Sequence, residues 1–164
     1  MVRVLFLDID GVLSIKNKKN YAKYTELKRR MQKNNLAAKI ITQSDFNSAY
    51  VSWDKRSIKA LKKFVKKYNY KIVIISNWRL LRSFLYLKLL FHLVGLYSYV
   101  IDVIKRCGTD KKKGICKYIE ENTIINPVIV DNELLDVSNI YQILPKKTLR
   151  YGDFKSFIKL IKQN

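Results

Sequence analysis

The chain reads as an α/β protein: a three-layer sandwich on a mainly parallel, five-stranded sheet, with a small insertion after the first strand. Three observations predict it. Short apolar runs rich in β-branched residues recur along the chain, each run ends on a polar residue, and stretches with helical spacing of apolar positions separate them. Strands alternating with helices at this rhythm build parallel sheets with right-handed crossovers and helices on both faces.

Taken in order, Val2, Val4, Leu5, Phe6 and Leu7 form the first run and stop at Asp8-Ile9-Asp10-Gly11, a buried strand ending in a turn. Residues 14–52 then break the rhythm, with nine Lys+Arg between Lys16 and Lys39 against the single acid Glu26. This is the insertion. Tyr21, Tyr24 and Leu27 are spaced for a short helix inside it, and Gln43 to Trp53 reads as a loop leading back. From Asp54, an N-cap, the positions Ile58, Leu61, Val65 and Tyr68 keep helical spacing while Lys59, Lys62, Lys63, Lys66 and Lys67 fill the outer face.

Ile72-Val73-Ile74-Ile75 is the second strong strand and stops at Ser76-Asn77; residues 79–94 follow as a more uniformly apolar helix. Tyr99 to Val103 is a weaker strand, and 110–121 another helix. Val128-Ile129-Val130, behind Pro127, stops at Asp131-Asn132. A short edge strand is expected near Tyr141 to Leu144, and Phe154, Phe157, Ile158 and Ile161 form one helical stripe behind Asp153. With no internal repeat and no linker rich in Pro, Gly or Ser, residues 1–164 read as one domain carrying the 14–52 insertion at the position of a first cap.

Composition narrows the function classes. With 48% hydrophobic residues the 164-residue chain has too much apolar material for a disordered basic tail. The run from Phe84 to Ile101 contains Lys88 and His92, polar groups that a membrane span would have to bury, so it reads as a buried helix plus a strand and no membrane partner is expected. Asp8 arrives before a signal-peptide core of useful length can form, and Cys107 and Cys116 lack metal-ligand spacing, which together point to a reducing, cytoplasmic setting. His92 reads as a packing residue and the cysteines as small hydrophobes. The 33 Lys+Arg against 13 Asp+Glu give a net charge of +20, which attracts polyanions in a salt-dependent way. Lys, Asn, Ile, Tyr and Phe, the residues of AT-rich codons, are all abundant, so genome composition alone could raise the lysine count, and the outer face of the helix from Asp54 is a solvated face on that reading.

In an open parallel sheet ligands bind beyond the carboxyl ends of the strands. Three such ends carry Asp8 with Asp10, Ser76, and Asp131, so their polar groups converge on one edge. Asp8-Ile9-Asp10-Gly11-Val12, then Ser76, then a lysine opening a later helix, then Asp131, in that chain order, resemble the four motifs of the haloacid dehalogenase (HAD) superfamily and its Rossmann-like sandwich. The resemblance covers about residues 2–136. The pairing of D-I-D-G-V-L with S-N-W-R is similar to small HAD domains of nucleic-acid repair systems.

The resemblance implies a Mg²⁺-dependent phosphomonoester hydrolase. Asp8 matches the nucleophile that forms an aspartyl-phosphate, and Asp10 the general acid and base. Mg²⁺ would be held by the Asp8 carboxylate, the Asp10 backbone carbonyl and Asp131, with Asp136 as the second acid and Glu133 or Asn132 as alternatives through water. Asp136 and Glu133 could equally decorate a first helical turn. Ser76 would bind a phosphate oxygen, helped by Asn77 and neighbouring N–H groups, or act only as an N-cap. Arg79 could clamp a phosphate or pair with an acid of the fold.

The lysine is one of Lys111, Lys112 and Lys113. Lys111, Ile115, Tyr118 and Ile119 share the stripe facing the sheet, which favours Lys111, while Lys113 stands directly before Gly114 as in many relatives. A small cap leaves the site open to a phosphate on a macromolecule, so nucleic-acid termini are the expected substrate. Small-nucleotide or sugar phosphates and phosphorylated proteins are the alternative substrates, and a non-catalytic basic nucleic-acid-binding module on the same scaffold is the different-class reading.

Overall fold

The computed structural model describes residues 1–14, 22–104 and 108–163. Five strands form one sheet in the order β3-β2-β1-β4-β5, every neighbouring pair parallel: β1 (Val2–Leu7), β2 (Tyr70–Ile74), β3 (Val100–Val103), β4 (Ile124–Val130) and β5 (Tyr141–Ile143). The apolar alternation of β1 sets two layers. Leu5 aligns with Ile72 and Val128 on one face, and Phe6 aligns with Val73 and Ile129 on the other. The expected α/β sandwich is therefore the observed one.

The Leu5 face carries most of the helices. α1 (Ala22–Gln32), α2 (Leu36–Ile40) and α3 (Gln43–Asn47) precede α4 (Lys55–Tyr68), with α5 (Trp78–Leu81) and α6 (Phe84–Leu93) after β2. Asp54 caps α4 by accepting from the Arg56 N–H, and Asn69 closes it in the left-handed region at φ +55°. Leu61, Phe64 and Val65 of α4 are fully buried against the sheet, at about 1.5–3 kcal/mol of transfer free energy each. Phe64 stacks on Phe154 ahead of α8 (Lys155–Gln163), which joins the same layer through Phe157. On the Phe6 face α7 (Lys111–Glu121) packs Ile115 and Tyr118 onto Phe6, Val73 and Ile129.

Three segments differ from the sequence reading. Gln43 to Trp53 is helical: Thr42 caps α3 by accepting from Asp45, a π-helical turn spans Ser48–Ser52, and Phe46 and Ala49 are buried in the main core. Residues 79–94 are two helices rather than one, because Arg82 is extended and the Ser83 hydroxyl caps α6 on the Tyr86 N–H. β4 starts at Ile124, ahead of the Val128-Ile129-Val130 run expected behind Pro127; Asn126 takes φ +48° and the register with β1 shifts there. His92 is exposed, edge-on to Tyr97, and is no core residue. Tyr21, Lys16 and Cys107 lie outside the described residues. Among those described, no helix is long and apolar enough to cross a membrane.

Candidate active site

The site forms where β1, β2 and β4 end side by side. Past Leu7 the backbone stays tied to its neighbours: the Asp8 N–H donates to the Val130 carbonyl at 2.9 Å and the Ile75 N–H to the Leu7 carbonyl at 2.9 Å. The Ile9 carbonyl then accepts from Val12, Leu13 and Ser14, turning the chain sharply. Gly11 sits in that turn at φ +76°, with the Asn132 side chain so close that a Cβ would lie 2.6 Å from Asn132 Cγ. Only glycine meets both demands.

Asp8, Lys111 and Asp131 form a buried cluster. Lys111 Nζ donates to Asp131 Oδ2 at 2.8 Å and lies 3.3 Å from Asp8 Oδ1. Asp131 is fully buried, and its Oδ1 accepts from the Glu133 N–H at 2.9 Å. Burial raises the Asp8 carboxyl from 3.8 to about 6; Lys111 pulls it back and the Asp131 charge pushes it up again. For Lys111, burial favours the neutral amine, but the bond to Asp131 and the charge of Asp8 outweigh it and raise its affinity for the proton. Two carboxylates thus share one ammonium. Lys113 is exposed and only its backbone N–H takes part, in the Asp110 cap of α7, so Lys111 is the lysine brought to Asp8.

Asp10 stands at the exposed lip of the cluster. Trp78 Nε1 donates to its Oδ2 at 2.9 Å and the Ser14 hydroxyl to its Oδ1 at 3.3 Å. Ser76 is 1% exposed, and its Oγ has no hydrogen-bond partner among the described residues. It caps no helix, since Asn77 is the residue ahead of α5. A buried hydroxyl without a partner costs free energy unless something else fills that role.

Residues 4–146 match the family model of the HAD domain in Swiss Army Knife RNA repair proteins. The chain belongs to this family. No curated protein matches the chain. The family places it among HAD-type phosphatases, a superfamily that generally depends on Mg²⁺.

In this HAD domain the remaining expected residues fall in two groups. Arg79 is 2% exposed, and its guanidinium donates to the Ile75 carbonyl at 2.8 Å, to Asn77 Oδ1 at 3.1 Å and to the Gly108 carbonyl at 3.0 Å. It braces the end of β2 against the segment leading into α7, and it holds the Asn77 side chain with it. Asp136 is not brought to the cluster: its side chain is 91% exposed, in a left-handed turn at φ +47°, and 3.8 Å from Lys112. Its distance from Asp131 in sequence gave no information about that turn.

Among the described residues no group of three or more His, Cys, Asp or Glu has metal-holding geometry. The donor set still fits Mg²⁺ chemically. That ion keeps several waters and is commonly held by one or two carboxylates, and Asp8 and Asp131 leave one negative charge that Lys111 does not offset. Sequence reasoning passed over Trp78, Arg82 and Asp45, the residues that contact Asp10 or hold what does. The tryptophan in Ser76-Asn77-Trp78-Arg79 was the available signal.

Proposed function

We propose that this HAD domain is a Mg²⁺-dependent phosphomonoester hydrolase that works through a phosphoryl group on Asp8 and acts on phosphorylated nucleic-acid ends. The buried Asp8–Lys111–Asp131 cluster, with the buried Ser76 hydroxyl at the end of the neighbouring strand β2 and without a partner among the described residues, carries the reading. Asp8 is the nucleophile: its carboxylate oxygen bonds to phosphorus as the bond to the leaving oxygen breaks, and Asp10 supplies the proton to that oxygen. Asp10 then takes a proton from the water that hydrolyses the acyl phosphate. Lys111 and Ser76 hold the phosphoryl oxygens as charge develops on them. The Asp8 and Asp131 carboxylates with the Asp10 carbonyl would hold Mg²⁺, which would supply charge neutralisation for the phosphate.

Two observations support nucleic-acid ends as substrate. The family's name refers to RNA repair proteins. Lys112 and Lys113 are exposed beside Lys111, and Lys55 and Arg56 open α4 at the same edge, where the Asp54 N–H donates to the Leu13 carbonyl. Lys66 and Lys67, at the far end of α4, lie away from that edge. The test compares 3′- and 5′-phosphorylated oligonucleotides with mononucleotides and an aryl phosphate at several salt concentrations. Turnover that needs Mg²⁺, is lost in Asp8→Asn, and favours oligonucleotides by a margin that salt erodes is the expected result. Polyanion binding without turnover would make the chain a binding module, and turnover with no oligonucleotide preference would make it a small-metabolite phosphatase.

A further inference from the structure

We propose that Trp78 is the positioning residue for Asp10, and that Asp45, Arg82 and Tyr86 hold Trp78 in that role, wiring the helical segment ahead of α4 to the acid of the reaction. The inference rests on the phosphatase reading above and deepens it. An exposed carboxylate on a turn is free to rotate, and proton transfer to a leaving oxygen needs it held within hydrogen-bond reach. The indole N–H on Oδ2 at 2.9 Å removes that freedom. It also leaves Oδ1, shared only with the rotatable Ser14 hydroxyl among the bonds described, to carry the proton.

The indole is itself held. The Arg82 guanidinium stacks 4.4 Å from the centroid of the Trp78 ring, and the buried Trp53 ring lies 6.3 Å away at a tilt. Arg82 is pinned by both oxygens of Asp45, at 2.6 and 3.0 Å. Asp45 also accepts from the Tyr86 hydroxyl at 2.8 Å, and that hydroxyl accepts from the Thr42 N–H at 2.9 Å. These residues come from α3, α5 and its end, and α6. A partly buried ion pair such as Arg82–Asp45 contributes little net stability compared with apolar packing. What this one supplies is a fixed plane for the indole, set from a helix that sequence places more than thirty residues upstream of Trp78.

In the step concerned, the bond from Asp8 to phosphorus forms, the bond from phosphorus to the leaving oxygen breaks, and the proton passes from Asp10 Oδ1 to that oxygen. An alkoxide needs the proton and a dinitrophenolate does not. The experiment therefore measures kcat/KM on an alkyl phosphate and on dinitrophenyl phosphate for the wild type, Trp78→Phe, Asp45→Asn and the double variant. Trp78→Phe keeps the ring and removes the N–H. We expect it to lose about tenfold or more on the alkyl ester and less than about twofold on the dinitrophenyl ester. Asp45→Asn shows the same selectivity, and the double variant is no worse than Trp78→Phe, because the two act through one contact. Retained turnover of the dinitrophenyl ester reports folding, and Asp45→Asn alone carries the readout where Trp78→Phe does not fold. Equal losses on both esters, or none, overturn the inference while leaving the phosphatase reading intact; turnover that survives Asp8→Asn removes both.

Discussion

Lys111 and Asp131 form a 2.8 Å ion pair that joins the first residue of α7 to the end of β4, and Asp8 lies against the same ammonium. One cation for two buried carboxylates leaves the site strained towards a second positive charge. The linkage is direct: the Asp8 carboxyl is raised from 3.8 to about 6 in the folded chain. Between those values the folded chain keeps a proton that the unfolded chain has released. Stability therefore falls as pH rises through this window, by roughly 3 kcal/mol at full effect above it. In chelator, Asp8→Asn should melt at a higher temperature than wild type at pH 7, and the advantage should vanish near pH 4. Mg²⁺ should then stabilise the wild type more than the variant. A variant less stable at pH 7 in chelator would contradict the account.

Ser76 separates stability from function. Its buried Oγ, without a partner among the described residues, costs about 1–3 kcal/mol, so Ser76→Ala should leave the melting temperature unchanged or raise it. The same change removes a phosphate contact, and kcat/KM should fall about tenfold. Calorimetry beside steady-state kinetics reads both; a destabilised variant with intact kcat/KM would make Ser76 a structural residue only.

Arg79 should behave in the opposite way. Lysine cannot reproduce a fork that serves the Ile75 and Gly108 carbonyls and Asn77 together. Arg79→Lys is expected to cost about 3 kcal/mol, a fall in melting temperature on the order of 6–12 °C. Were the variant fully stable but weakened for every phosphate substrate, the arginine would be a clamp rather than a brace.

At Gly11 the prediction is steric. Alanine there meets both a positive φ and the Asn132 side chain, so Gly11→Ala should lose about 1–3 kcal/mol and displace Asp10, lowering kcat. Pairing it with Asn132→Ala relieves the contact and should recover part of the stability in a denaturant titration. No recovery would show that backbone strain alone is responsible.

Much of this arrangement was legible in the sequence. β1, β2 and β4 are apolar runs that stop on Asp8, Ser76 and Asp131, and the phase of α7 put Lys111 on the stripe facing the sheet. The parts that were not legible depend on contacts across the fold or on turns too short to leave a periodic pattern. For Arg79 the sequence leaves a phosphate clamp and a pairing with an acid of the fold both open, and neither reading names the partners found, the carbonyls of Ile75 and Gly108. Gln43 to Trp53 looked like a loop because its helical turn is short and irregular, stabilised by Thr42 and the burial of Phe46 rather than by a long periodic pattern. Asp136 was plausible by spacing alone, and a left-handed turn carries it into solvent.

The central claim is that Asp8 takes the phosphoryl group. Acid-quenched enzyme, sampled by mass spectrometry during turnover of a phosphomonoester with Mg²⁺, should carry a phosphoryl adduct on the peptide containing Asp8, absent in Asp8→Asn, which should also be inactive. Turnover with no adduct on that peptide, persisting in Asp8→Asn, would contradict it.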